Sequence, residues 1–317
     1  NLLLSSHPII KISFSPTLAY NRLMKTYFII SKGAGSYSPS VKDKINRIYR
    51  GKAYQIYETD YKGHIKDLVR AHRDEDARIY ICGGDGSLSE AAGLMIGRRA
   101  SLGLVPMGTA NDFAKNFPKG SLSIENTLDQ ELSPMDLIKI NDSYCVNVFS
   151  LGLDSQVLAK ALAILDKNPW LKGWAYPLGV LASLPSLKAN RLTLDLVLES
   201  GEKKRIEDSF LLAALCNGGY YGSGFNPSPK ADIKDGLLDL VMAKDMGIFE
   251  VLGLVMKYRD GRHLANKKVL LERVKSGRIK AREEVFANID GLVFEEKTFD
   301  FEILPQAINF ALPGGIK

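Results

Sequence analysis

The chain has 317 residues, 45% of them hydrophobic and 25% charged, which excludes a disordered or disulfide-dense protein and makes two soluble domains the expectation. Its formal net charge of +6 suits an anionic partner such as a nucleotide, a nucleic acid or an anionic membrane surface. No apolar run approaches the ~20 residues of a membrane span, and LGVLASLPSL at 178–187 is broken by Pro185.

Residues 1–23 show no clear period and lack the basic start and small-residue cleavage site of a signal peptide. They read as an upstream or non-native extension, with the natural start expected at Met24. From there the pattern alternates. KTYFIIS, AYQIYET, ARIYICG and ASLGLVP read as buried strands. Between them, PSVKDKINRIYRG carries Val41, Ile45 and Ile48 on one helical face, and GHIKDLVRAHRD carries Ile65, Leu68 and Val69. SLSEAAGLMIGR is a third helix. Such βα repetition predicts a parallel sheet that binds its ligand at the carboxyl ends of the strands. After Pro134 the texture changes. MDLIKIND and YCVNVFSLG suggest a hairpin around Asp142 and Ser143. RLTLDLVLES alternates strictly, placing Leu192, Leu194, Leu196 and Leu198 on one face of a half-buried antiparallel strand. SFLLAALCN, GLLDLVMAK and VFANID add strands, with helices expected near 154–167 and 247–260. The fold class is therefore α/β. Residues 24–136 form a parallel-sheet domain, 137–304 a mostly antiparallel β-sandwich, and a cleft lies between them. Cys82, Cys145 and Cys216 sit in apolar strands without metal spacing, as free thiols of a reducing cytoplasm would.

Two glycine loops fall at the strand ends. In ICGGDGSLSE, glycines let backbone N–H groups approach an anion, and the next helix adds its positive end. Ser87 and Glu90 have capping-box spacing, which explains both without a ligand. Asp85 has no such explanation, because a carboxylate beside an anion nest repels it unless a cation intervenes. PMGTANDFAKNF repeats the theme with Gly108, Thr109, Asn111 and Asp112 leading into an expected helix. A rival signal is GAGSYS at 33–38, an imperfect dinucleotide fingerprint with Glu58 placed as a ribose-binding acid.

GGDGS followed by GLVPMGTANDFA and CNGGYYGSGFNPSPKADIKDGLLDLVM resembles the bacterial diacylglycerol/lipid kinase family, which includes sphingosine-kinase-like catalytic cores. The resemblance spans roughly residues 24–317. It implies an ATP- and Mg²⁺-dependent lipid kinase, cytoplasmic and peripheral to an anionic membrane, with a lipid substrate, no nucleic-acid partner and a possible homodimer. It also implies that residues 305–317 return to the first domain. By the same resemblance, Thr59, Gly83, Gly84, Asp85, Gly86, Ser87, Glu90, Gly108, Thr109, Asn111 and Asp112 belong to the nucleotide site. Asp85, Asp112 and Asp136 would be the acids around Mg²⁺. The turn DIKDGL would hold a second Mg²⁺ through the Asp235 carboxylate and the carbonyls of Asp232 and Leu237. From spacing alone, that turn is a plain turn before a strand.

Two departures follow. Ser31 and Lys32 stand where the family carries Asn-Pro, leaving Lys32 as an alternative phosphate contact. Asp290-Gly291-Leu292 stands where it carries Asp-Gly-Glu, whose Glu is the proposed general base. Leucine takes no proton, so Asp290, Glu295 or Glu296 serves instead, or transfer is slow or lost. Three alternatives stay open: a nucleotide-binding pseudokinase, an NAD-kinase-like enzyme acting on a soluble alcohol, and a dinucleotide-dependent oxidoreductase. A basic strip on 271–284, carrying Arg273, Lys275, Arg278, Lys280 and Arg282, is a candidate membrane contact.

Overall fold

The computed structural model describes residues 24–168, 170, 178, 179, 182, 183 and 188–313. The expectations for 1–23, for most of 178–187 and for the last residues of the 305–317 return lie outside them. The first four strands are β1 (Lys25–Ile30), β2 (Tyr54–Glu58), β3 (Ala77–Gly83) and β4 (Ser101–Pro106), parallel in the order β2-β1-β3-β4. Three helices alternate with them: α1 (Ser40–Ile48), α2 (His64–His72) and α3 (Asp85–Ala92). Successive residues of a strand point to opposite faces, so these strands feed two cores. Tyr27, Ile29, Ile79 and Ile81 pack with Ile65 and Val69 of α2 and with Leu88 of α3. Phe28, Ile30, Tyr80 and Cys82 pack on the other side with Ile45. A parallel sheet covered on both faces explains why its strands read as continuous apolar runs.

The second region is antiparallel. Its strands are β5 (Glu131–Ile140), β6 (Ser143–Cys145), β7 (Val148–Gly152), β8 (Asn190–Leu198), β9 (Lys203–Cys216), β10 (Leu238–Lys244), β11 (Val269–Ile289) and β12 (Leu292–Leu312). Leu192, Leu194 and Leu196 are buried in an interior that also holds Phe149, Phe210 and Phe299, as the strict alternation of β8 requires. Two helices, α4 (Leu153–Lys167) and α5 (Ile248–Arg259), lie where the apolar spacing put them. The fold class matches expectation: a parallel α/β region followed by an antiparallel one.

The two regions are one continuous sheet. β12 pairs antiparallel with β11 near its start and with β5 further on, and Phe310 near its end lies parallel to Leu102 of β4. The chain's last strand thus fixes the second region against the first, leaving the glycine loops to face the β6–β7 and β11–β12 turns. One local expectation fails: PMGTANDFAKNF contains no α-helix, only a short 3-10 turn at Phe113–Asn116.

Candidate active site

A cleft of about 1200 Å³ opens where the two regions meet. One wall consists of the loops after β1, β3 and β4, and the glycines explain how closely those loops approach. A Cβ on Gly84 would stand 2.9 Å from the Gly108 Cα, and one on Gly108 would stand 2.5 Å from the Gly84 Cα. A Cβ on Gly35 would collide with Thr109. No side chain fits at these contacts. Gly86 differs: nothing lies within 4 Å of its would-be Cβ, so the space above the start of α3 is open.

The capping box expected of Ser87 and Glu90 does not form. Helix α3 begins at Asp85, its N-cap is Gly84, and no side chain caps it. The first intrahelical bond runs from Leu88 N–H to Gly84 O at 3.1 Å. No cap bond therefore occupies the first N–H groups of the helix, beside the open space over Gly86, where the geometry suits a phosphate oxygen.

Asp85 has a structural partner that its sequence context did not reveal. Its carboxylate accepts the backbone N–H groups of Asp112 and Phe113, both at 2.9 Å, and so ties one glycine loop to the other. Burial raises its carboxyl above the ordinary aspartate range, and these two N–H groups pull it back. Asp112 is buried, bound to Lys115 Nζ at 2.5 Å and accepting Ser223 N–H at 2.8 Å. Each carboxylate oxygen of both residues keeps a second lone pair, so the pair fits a hard cation carried in with a nucleotide.

The remaining nucleotide-side candidates divide. Ser87, Glu90 and Thr109 line the cleft. Asn111, at φ 50°, folds back on its own loop, accepting Gly108 N–H at 2.7 Å and donating to Gly108 O at 2.9 Å. Thr59 Oγ1 accepts Lys32 N–H at 3.2 Å, and Lys32 Nζ is paired with Asp60 at 2.5 Å rather than facing the cleft. Gly83 ends β3 inside the core. Glu58 accepts from Tyr37 at 3.1 Å and meets Lys42 at 3.4 Å, so the ribose-binding role of the GAGSYS reading is not assembled.

Asp136 stands apart from Asp85 and Asp112. It is fully buried and accepts the N–H groups of Gly236 and Gln306, both at 2.7 Å. Burial raises its carboxyl despite those bonds. It supports the DIKDGL turn, where Asp232 accepts Lys234 N–H at 3.0 Å and Asp235 accepts Leu237 N–H at 3.0 Å. The second oxygen of Asp235 pairs with Arg273, whose guanidinium also reaches Asp239 at 3.5 Å and Glu199 at 3.3 Å. The positive charge at this turn is the Arg273 guanidinium, which would compete with a cation for the Asp235 carboxylate. Among the described residues no group of three or more His, Cys, Asp or Glu is placed to hold a metal ion.

Asp290 and Gly291 form the two-residue turn between β11 and β12, with φ 46° and 99°. Positive φ at both positions is the type I′ pattern that favours Asp-Gly. The Asp290 carboxylate accepts from the Ser89 hydroxyl and from the N–H groups of Val146 (2.6 Å), Asn147 and Val148 (both 3.1 Å). Four donors fill the four lone-pair directions of a carboxylate, so Asp290 is a clamp between the regions with no lone pair left for a substrate proton. Leu292 is 69% exposed at the cleft wall. Glu295 and Glu296 are exposed further along β12, outside the cleft lining.

The structure adds residues not singled out from sequence. Lys62, Lys66 and Arg70 line the cleft beside the helix that begins at Asp85, with Gly63 next to Glu90. Their four-residue spacing, running onto α2 beyond the β2 loop, was the available signal for a phosphate-facing cationic stripe. Ser89 and Asp154 also line the cleft, and nothing in their local sequence marks them.

Residues 26–140 match the diacylglycerol kinase catalytic domain model, and residues 147–312 match the YegS C-terminal NAD kinase beta sandwich-like domain model. A protein of Pseudomonas aeruginosa named "Probable lipid kinase YegS-like" is 32% identical over 75% of this chain and 78% of its own length. One of the same name from Shewanella frigidimarina is 29% identical over 78% and 81%. A crystal structure of a diacylglycerol kinase from Bacillus anthracis superposes with a TM-score of 0.68 at 17% identity, covering 92% of this chain and 98% of that one, and so shares its fold. With both halves of the chain matched, the protein belongs to the diacylglycerol kinase-like, YegS-like family of lipid kinases.

Proposed function

We propose that the protein transfers the γ-phosphoryl group of MgATP to a hydroxyl of diacylglycerol or a related lipid, working at the surface of an anionic membrane from the cytoplasmic side. One observation carries this reading: the cleft, which carries charged side chains such as Lys66, Arg70, Asp85 and Asp112, shares a wall with an apolar pocket. That pocket, about 100 Å³, is bounded by Val157, Leu212, Phe225, Met246, Val251 and Val255 among others, and Asp154 and Tyr221 line both spaces. A molecule with a phosphorylatable head and an apolar tail matches that pairing of surfaces, with each buried methylene contributing about 0.8 kcal/mol.

Phosphoryl transfer depends on positioning and charge neutralisation. The uncapped start of α3 and the open space over Gly86 would seat phosphate oxygens, while Lys62, Lys66 and Arg70, which line the same cleft, would offset their charge. Asp85 and Asp112 are the carboxylates that would hold a Mg²⁺ ion entering with the nucleotide, and that ion would offset phosphate charge.

Membrane contact is supported by α5 more than by the basic strip of β11. Phe249, Leu252 and Met256 are 86%, 45% and 56% exposed on one face of α5, and Leu252 also borders the apolar pocket. On β11, Arg273 and Arg278 are engaged by acidic partners. Among the described residues no helix is long and apolar enough to cross a membrane.

One observation favours a second reading, nucleotide binding without transfer: Leu292 and the fully engaged Asp290 offer no base at the family's position. A test incubates the chain with γ-labelled MgATP and diacylglycerol micelles, with NAD, or with neither. Label in the lipid extract is the expected result. Label on NAD would indicate a soluble acceptor, and bound nucleotide without either product would indicate a pseudokinase.

A further inference from the structure

We propose that Asp154 is the proton acceptor for the lipid hydroxyl, replacing the carboxylate that Leu292 cannot supply. The inference rests on the lipid kinase reading and specifies how its acceptor is activated.

Asp154 lies in the first turn of α4 and lines both the cleft and the apolar pocket. A hydroxyl attached to an apolar tail must cross that junction. The hydroxyls of Ser150, Ser155 and Tyr221 and the Ser155 N–H lie around its carboxylate, but none closes a hydrogen bond on Oδ2. Oδ2 is shielded from water and has no hydrogen-bond partner. Oδ1 is 3.4 Å from Ser155 Oγ, but that hydroxyl lies closer to Ser150 O, at 3.1 Å. Buried carboxylates are normally satisfied, and an unmet one signals a missing partner. The other acids at this end are either saturated, as Asp290 is, or outside the cleft, as Glu295 and Glu296 are.

The groups facing Asp154 are the hydroxyls of Ser150 on β7, Ser155 on α4 and Tyr221 on the loop after β9, with the buried Cys216 thiol on β9. No lysine or arginine is among them. Asp290, at the β11–β12 turn, lines the same cleft. Desolvation pushes the Asp154 carboxyl up to about 6, while the neighbouring hydroxyls pull it back. It is therefore ionised at neutral pH yet basic enough to take a proton, as a general base must be.

The balanced step is direct. The lipid O–H bond breaks and its proton passes to Asp154 Oδ2. The oxygen's electron pair forms the new bond to the γ-phosphorus as the bond from that phosphorus to the bridging oxygen breaks. ADP leaves with that electron pair, and the product is a lipid phosphate monoester.

The test compares wild type, Asp154→Asn, and Asp154→Asn combined with Leu292→Glu, using γ-labelled MgATP and diacylglycerol micelles from pH 5 to 8. Nucleotide affinity and melting temperature are measured beside kcat. The expected result is a loss of about 10²–10⁴-fold in kcat for Asp154→Asn, with nucleotide affinity unchanged and folding intact. The wild-type rate should fall as pH drops through about 6, a limb missing from Asp154→Asn. Leu292→Glu should restore at least tenfold of the loss. Transfer by Asp154→Asn within twofold of wild type, or a kcat loss with an unchanged acid limb, would overturn the base while leaving the lipid kinase reading intact. A wild-type chain that labels no lipid overturns both.

Discussion

The two ends of the cleft are built by different means. At the proposed nucleotide end, backbone makes the walls: Gly84 against Gly108, Gly35 against Thr109, and an uncapped helix start at Asp85. At the proposed acceptor end, single side chains set the surface. Asp290 is held by four donors, Leu292 offers none of the function its position suggests, and Asp154 keeps an unmet oxygen. Backbone sites tolerate little because glycine has no substitute there. Side-chain sites can migrate, because any carboxylate reaching the same point can do the same work.

That difference sets the size of each expected effect. Replacing Asp85 by Asn should cut transfer by ~10³-fold or more, because it disturbs a carboxylate of the cleft and places an NH₂ group against the Asp112 or Phe113 N–H. Unfolding in denaturant should show a parallel loss of about 1–3 kcal/mol. Gly84→Ala should weaken nucleotide binding by about 10²-fold, since its Cβ meets backbone rather than a yielding side chain. Gly86→Ala should leave the melting temperature unchanged, because nothing lies within 4 Å of the added atom. Equal melting temperatures for the two alanine variants and wild type would show that the loops do not depend on the Gly84–Gly108 contact.

Smaller effects test the charges. Lys66→Ala should raise the nucleotide dissociation constant about fivefold, the equivalent of about 1 kcal/mol, with the gap narrowing as salt is added. Stability should also report on Asp154. Its folded carboxyl titrates near 6, above the ~3.9 of an unfolded aspartate, so the folded chain binds that proton more tightly. Wild type therefore gains stability from this group as pH falls from 7 to 4. Asp154→Asn should melt higher than wild type at pH 7, with the difference closing by pH 4. A variant that melts lower at pH 7 would mean that Asp154 is a structural support. The smallest effect is a null one: chelating divalent ions should leave the melting temperature unchanged, because Arg273 already pairs with the Asp235 carboxylate of the DIKDGL turn.

The sequence displayed the glycine-loop end of the cleft well and the Asp290 end poorly, for a physical reason. Backbone approach demands glycine at fixed spacing, so GGDG and GTAND stand out in a linear chain, and period-2 and period-3.6 apolar patterns exposed both halves of the fold. The capping-box reading of Ser87 and Glu90 failed because a spacing rule cannot tell that α3 starts at Asp85. Asp136 was grouped with the cleft acids, but β5 carries it to a turn of the second region. Arg273 lies 38 residues from Asp235, and no local pattern announces that pair. Asp154 sits in LGLDSQV, where it looks like an ordinary helix-start acid. Its importance comes from where α4 and the loop after β9 meet, which only the folded chain reveals.

The most direct test of this division measures nucleotide affinity and lipid-dependent kcat together for Gly84→Ala and Asp154→Asn, with γ-labelled MgATP and diacylglycerol micelles. The predicted result is a crossed pattern: Gly84→Ala loses nucleotide affinity, while Asp154→Asn keeps it and loses kcat. If both variants lose the same parameter, or if Asp154→Asn transfers phosphate as fast as wild type, the two ends of the cleft are not the separate devices described.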